Sequence, residues 1–248
     1  MKKILLALIS FLFCNLLYAA PIKTIRFAME ATYPPFEFID ESGQIKGFDI
    51  DVANALCKQL NAQCTFSNQS FNSLIPSLKI GKFDALISSL GVTPERLKQV
   101  SFTNPYYEPS GSFVAPAAKR YKLSDIADKT IAVQQSSTFE KYLQDKYKDR
   151  VIIKTYGSVQ DAFLDLVSGR VDMVLVDTPI ALDWLKQKNA QGYVIVQKPV
   201  VDPKYFGTGY GIAVNRGNTE LLNALNAALA AIKADGTYNK ITEKYFGK

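Results

Sequence analysis

Two segments 88 positions apart carry one pattern. "GKFDALISSL" opens at Gly81 and "GRVDMVLVDT" at Gly169, each reading Gly, a basic residue, an apolar residue, Asp, then an apolar run ending in polar residues. Each also follows an apolar stretch of helical look, "SLIPSLKI" before the first and "DAFLDLVS" before the second. A helix–Gly–strand unit built twice restricts the chain to folds with two similarly constructed halves. The flanking residues extend the correspondence. "TIRFAME" (Thr24–Glu30) reads as a strand, and "GFDIDVANALCKQLN" as a helix capped by Asp49 with Val52, Leu56 and Leu60 on one face. "QCTFSN" follows as a strand, and "FNSLIPSLKIG" as a helix that admits Pro76 in its first turn and stops at Gly81. From Lys129 the order begins again: "KTIAVQQSSTFEKYLQDKY", "VIIKTY", "SVQDAFLDLVSG", "VDMVLVDT". Alternating strands and helices predict two α/β lobes, each with a mostly parallel sheet flanked by helices.

The tail sets the connectivity. "YFGTGYGIAVNRG" is a strand carrying Gly207, Gly209 and Gly211, and "NTELLNALNAALAAIKADG" has a helical apolar stripe of Leu222, Leu225, Leu229 and Ile232. The glycine spacing does not fit a dinucleotide fingerprint and suits a hinge or a close strand crossing. If the tail completes the first lobe, the chain crosses between lobes near 108–112 and near 200–208. The expected division is 21–110 for the first lobe, 111–203 for the second, and 204–248 returning to the first.

At 248 residues the chain is long enough for two ordinary lobes, and 48% apolar with 21% charged residues is a globular balance. "MKKILLALISFLFCNLLYAA" reads as a secretory signal peptide over residues 1–20, with cleavage after Ala19 or Ala20. Its removal takes Cys14 and two lysines, lowering the formal net charge from +6 to +4. The remaining Lys and Arg are scattered, so the charge reads as a solvated surface and nucleic acid is not an expected partner. In an oxidising compartment Cys57 and Cys64 of "CKQLNAQC" read as a disulfide; the signal peptide argues against two free buried thiols. The chain has no histidine. That excludes Ser-His-Asp and Cys-His nucleophiles and His-containing zinc sites, leaving only carboxylates for any catalysis. Neither a cofactor nor a metal is expected.

Open parallel sheets bind ligands beyond the carboxyl ends of their strands. Five residues after the Asp of each unit stand Ser89 and Asp177, expected to face one another across a cleft. In "GVTPERLKQV", Thr93 caps, Pro94 opens and Glu95 suits a helix N-terminus, whereas Arg96 opposes the macrodipole there. Arg96 with Ser89 and Gly91 alongside therefore reads as an anion holder, and a bidentate Arg suits a carboxylate. "SSTFE" carries a capping box, so Ser137 and Thr138 at a free helix N-terminus offer a second anion end. Asp177 is then free for a ligand cation, and the set matches an α-amino acid.

The segments "ATYPPFEF", "GFDIDVANALCKQL", "SLIPSL", "DALISSL", "TPERLKQVSFTNPYYE", "DPKYFGTGYGIAV" and "ALAAIKADGTYNKI" resemble the periplasmic amino-acid-binding proteins of bacterial ABC transporters over essentially the whole chain. They look most like the arginine-binding members. The resemblance implies a two-lobed Venus-flytrap fold. It implies that Arg96, Ser89, Gly91 and Thr138 bind a ligand carboxylate and Asp177 its α-ammonium, with Ser88 helping. It places Tyr33 and Phe71 on either face of the ligand side chain, Glu30 at the far end, and Gln134 near the side chain from the second lobe. Cys57 and Cys64 match the disulfide of the histidine-type relatives. Those relatives carry Ser where Gly91 stands, Asp where Glu30 stands, and a polar residue where Phe139 stands. A guanidinium stacked between Tyr33 and Phe71, with Glu30 accepting its N–H groups, suits arginine better than lysine.

The expected protein is thus a monomeric periplasmic receptor that takes L-arginine to an inner-membrane ABC permease and has no catalytic residue. The alternatives are another basic or polar amino acid (lysine, ornithine, histidine) or a carboxylate-based dehydratase on the same scaffold.

Overall fold

The computed structural model describes residues 22–247, so the signal-peptide segment 1–20 lies outside the described residues. Two five-stranded sheets form the two lobes. The first runs Gln63–Asn68, Thr24–Met29, Ala85–Leu86, Ala213–Asn215, Val100–Phe102, and the second Ile152–Tyr156, Thr130–Gln134, Met173–Asp177, Gly111–Pro116, Tyr193–Ile195. In both, the first three strands are parallel and the fourth is antiparallel to its two neighbours. The strands predicted from sequence are therefore present, in sheets that are mixed. A small third sheet, Thr32–Tyr33, Glu37–Ile39 and Ile45–Lys46, leans over the cleft side.

The duplicated motif has the same structural cause in both halves. Gly81 and Gly169 take left-handed φ values of 74° and 72°, which end the preceding helix at little cost only for glycine. The Asp three residues on then pins the new strand to its neighbour. Asp84 exchanges bonds with Arg26, its N–H donating to the Arg26 carbonyl and its carboxylate accepting from the Arg26 N–H, both at 2.9 Å. Asp172 makes the same pair with Thr130, at 2.8 and 2.9 Å.

Helix Phe48–Gln59 differs from expectation at its start: Gly47 occupies the cap position and Asp49 does not cap. A Cβ at residue 47 would stand 2.1 Å from the Phe36 carbonyl oxygen at φ 131°, so the close approach demands glycine. The Asp49 side chain is buried, its carboxylate accepting from the Ser89 N–H and the Tyr106 hydroxyl. At the other end of this helix Cys57 is disulfide-bonded to Cys64 on the edge strand Gln63–Asn68. Helix Thr219–Ala234 buries Leu221, Leu225, Ala228, Leu229 and Ile232, with Leu222 only half-buried at the edge of the stripe.

The glycines of the tail serve a close crossing. Residues 208–211 bond to Leu90, Val92 and Tyr107 at 2.8–3.3 Å. Side chains at Gly207 and Gly209 would meet the Val92 carbonyl oxygen at 2.5 Å and Pro105 Cβ at 2.4 Å. Phe36 anchors the adjoining core, its ring 5.0–5.9 Å from those of Phe48, Tyr107, Tyr210 and Phe246.

Candidate functional site

Between the lobes lies a pocket lined by Glu30, Tyr33, Glu37, Phe71, Ser88, Ser89, Arg96, Gln134, Ser137, Thr138, Phe139, Asp177 and Tyr210. Ten of the eleven positions nominated from sequence are on this wall. Gly91 is not. It stands behind Arg96, its carbonyl accepting from Nη1 at 3.2 Å, and its lack of a side chain admits the Phe206 carbonyl oxygen to 2.4 Å of where a Cβ would be.

Arg96 sits in the short helix Pro94–Leu97, whose cap Thr93 accepts the Arg96 N–H at 3.3 Å. The side chain folds inward and is only 9% exposed. Its guanidinium donates to two carbonyls, Gly91 and, across the cleft, Ser136 at 3.3 Å, and lies 5.6 Å from the centre of the Phe71 ring. No carboxylate is paired with it among the described residues. Burial pulls its pKa down to about 10, the expected response of a cation without a counter-ion. Close by, Ser89 takes a left-handed φ of 46° and keeps a buried hydroxyl without any partner. Helix Thr138–Tyr147 brings its N-terminus to the same wall. Its cap Ser137 accepts the Glu140 N–H at 3.1 Å, and Glu140 accepts from the Ser136 N–H at 2.6 Å.

Asp177 ends the central strand of the second sheet and is 2% exposed. Among the described residues it has no cationic partner. Instead its carboxylate accepts from the hydroxyls of Tyr33, at 2.5 Å, and Tyr210, both reaching over from the other lobe. Burial lifts its pKa to about 7, against the pull of those two hydroxyls. The pocket therefore holds an unpaired buried guanidinium and an unpaired buried carboxylate, the complement of a zwitterion.

At the other end Glu30 accepts from Thr32 at 2.5 Å and from Gln134 Nε2, across the cleft, at 2.8 Å. Burial raises its pKa, opposed by those two bonds. Ser88 accepts the Glu30 N–H at 3.0 Å and its own hydroxyl donates to Glu37 Oε1 at 2.8 Å. Tyr33 lines the pocket while its ring stacks on Phe36 at 6.4 Å, and Phe36 is fully buried core. Glu37, Phe139 and Tyr210 line the pocket but are not among the ligand contacts expected from sequence. Tyr210 is a lone aromatic inside "GTGYG", and Glu37 stands two places after the prolines of "ATYPPFEF" with nothing local to mark it.

A two-lobed α/β scaffold with complementary buried charges in its cleft defines a receptor for a small zwitterionic solute. Residues 25–248 match the family of bacterial extracellular solute-binding proteins, family 3, and the chain belongs to that family. It is 50% identical over 248 residues to the ABC transporter arginine-binding protein 1 of Escherichia coli K12, covering 99% of both chains. Among solved structures it resembles a Salmonella typhimurium periplasmic binding protein described for high arginine specificity, with TM-score 0.85 and 43% identity over 90% of this chain and 99% of that one. It is equally similar to an ancestral arginine-binding protein bound to arginine, with TM-score 0.85 and 42% identity over 92% and 100% of the two chains.

Proposed function

We propose that this protein is a periplasmic receptor that closes on L-arginine and delivers it to an inner-membrane ABC permease, working as a monomer. The observation that carries this reading is the pair of unpartnered buried charges, Arg96 and Asp177, in one pocket. Arg96, the Ser89 hydroxyl and the helix end at Ser137 and Thr138 receive the α-carboxylate, and Asp177 receives the α-ammonium. Phe71 and Tyr33 flank the side chain. Glu30 and Gln134 accept the guanidinium at the far end, and Gly91 acts from behind by holding Arg96. The names of the relatives support arginine over other solutes. In this reading 21–110 with 204–248 move as one lobe against 111–203. The test is a calorimetric panel of the twenty amino acids with ornithine and citrulline. Arginine bound no more tightly than the neutral residues removes the assignment.

Replacement of Glu30 by Gln is expected to weaken arginine at least about tenfold, because a charge-assisted bond to a carboxylate is worth roughly 1.5–3 kcal/mol. Neutral amino acids, tested beside it, are expected to change little. Equal losses for both classes would remove Glu30 from the side-chain end.

Arginine binding is expected to release a proton near pH 6. Burial raises the Asp177 pKa to about 7 while no ammonium is bound, so with the carboxylate buried before the ligand arrives it holds a proton below that value, which an incoming ammonium must expel. Affinity therefore falls as pH drops from 7 toward 5, by at most about tenfold per unit for one proton. Calorimetry at pH 6 in two buffers of different ionisation enthalpy reads the proton directly. Identical heats would contradict the linkage.

A further inference from the structure

Two carboxyl groups are buried together, one on the pocket wall and one just behind it. Glu37, on the strand Glu37–Ile39, and Asp49, in the first turn of helix Phe48–Gln59, are both 0% exposed. The backbone sets them side by side, since the Asp49 N–H donates to the Phe36 carbonyl at 2.9 Å. No Lys or Arg pairs with either among the described residues. Each uses one oxygen fully. Glu37 Oε1 accepts from the Ser88 hydroxyl at 2.8 Å, and Asp49 Oδ2 accepts from the Ser89 N–H at 3.0 Å and the Tyr106 hydroxyl at 2.9 Å. Each also has one buried oxygen with no partner, Glu37 Oε2 and Asp49 Oδ1.

Two ionised carboxylates in a dry interior repel one another and lack solvation, so one of them keeps its proton. A single proton then satisfies both orphan oxygens, because a protonated carboxyl is a donor and its neighbour an acceptor. We propose that Glu37 and Asp49 share one proton, Glu37 donating to Asp49, and that this acid pair is the positioning device for the Ser88–Ser89 corner of the binding pocket. Ser89 needs such support: a non-glycine residue at φ 46° is held there by its N–H bond to Asp49. The surroundings agree with this assignment. Burial and the charge of Asp49 push the Glu37 pKa well up, and burial raises Asp49 to about 7. The other titratable groups facing the pair are Glu30, Tyr33, Tyr106, Asp177 and Tyr238, and none of them is cationic.

The positioning half of this proposal rests on the carboxylate-binding reading of the corner; the shared proton does not. Infrared spectra of the full protein recorded at about pH 8.5, above the value of about 7 at which Asp177 loses its proton, are expected to show a protonated carboxyl band that disappears in Glu37→Gln. The amide keeps the acceptor for Ser88 and the donor for Asp49, so Glu37→Gln should bind arginine within about threefold of the parent. Glu37→Ala strands Ser88 and Asp49 and should lose at least tenfold, with rescue by Gln marking position rather than charge as the requirement. A band unchanged in Glu37→Gln, or a tenfold loss of arginine affinity in that variant, overturns the proposal. Should the Ala variant fail to fold, the Gln variant and the band decide alone. A parent chain that does not bind arginine would defeat the functional reading while the band still decides the proton.

Discussion

Asp177→Asn is expected to reduce arginine affinity by at least about a hundredfold while leaving the ligand-free protein as stable as before or more so. The two halves of that result have one cause. Asp177 is buried beside two tyrosine hydroxyls and no cation. Desolvation of its charge is therefore uncompensated until an ammonium arrives. The amide is nearly isosteric: its carbonyl oxygen keeps one of the two tyrosine bonds, and its NH2 donates to the other hydroxyl. Removing one member of a buried charge pair costs about 3–5 kcal/mol, so micromolar binding, about −8 kcal/mol, would fall toward the millimolar range. Calorimetry with arginine and thermal melts without it measure the two quantities. Near-parent affinity would exclude Asp177 as the ammonium partner.

The largest loss is expected for Arg96→Met. Methionine retains an apolar stem against Phe71 and removes the guanidinium that faces the pocket without a carboxylate. The ligand's carboxylate would then be buried against the Ser89 hydroxyl and a helix end alone, and arginine binding should become undetectable at millimolar ligand. The ligand-free melting temperature should again hold or rise, the usual signature of a charge kept for function at the expense of stability. A variant that binds arginine yet melts much lower would recast Arg96 as a structural residue.

The duplicated Gly–x–x–Asp unit was readable because its causes are local: a left-handed residue ends a helix, and an Asp three places on pins a strand. The same holds for Arg96, whose position against the helix dipole marked it before any fold was known. Asp49 misled for an equally local reason, since an acidic residue before an apolar helical run has the form of a cap. What displaces it is non-local. The Phe36 carbonyl forces glycine at 47, and Ser89, 40 residues later, draws the carboxylate inward. Tyr210 was hidden in the same way, because its hydroxyl meets Asp177, 33 residues earlier, only through the fold. Eight residues of "FDALISSL" read as strand, yet only Ala85 and Leu86 form the ladder. The rest bends into the Ser88–Ser89 corner, and left-handed backbone at a serine has no sequence signal.

The order of strands also dictates a timetable. The sheet built on Thr24–Met29 needs Ala213–Asn215 as its fourth member, whereas the sheet built on Thr130–Gln134 is finished by Ile195. A chain delivered N-terminus first thus completes its middle before its beginning, and the early strands wait, with their long-range partner still missing, until almost the last residues arrive. Truncation near residue 205 would accordingly leave one intact sheet tethered to an unfinished one.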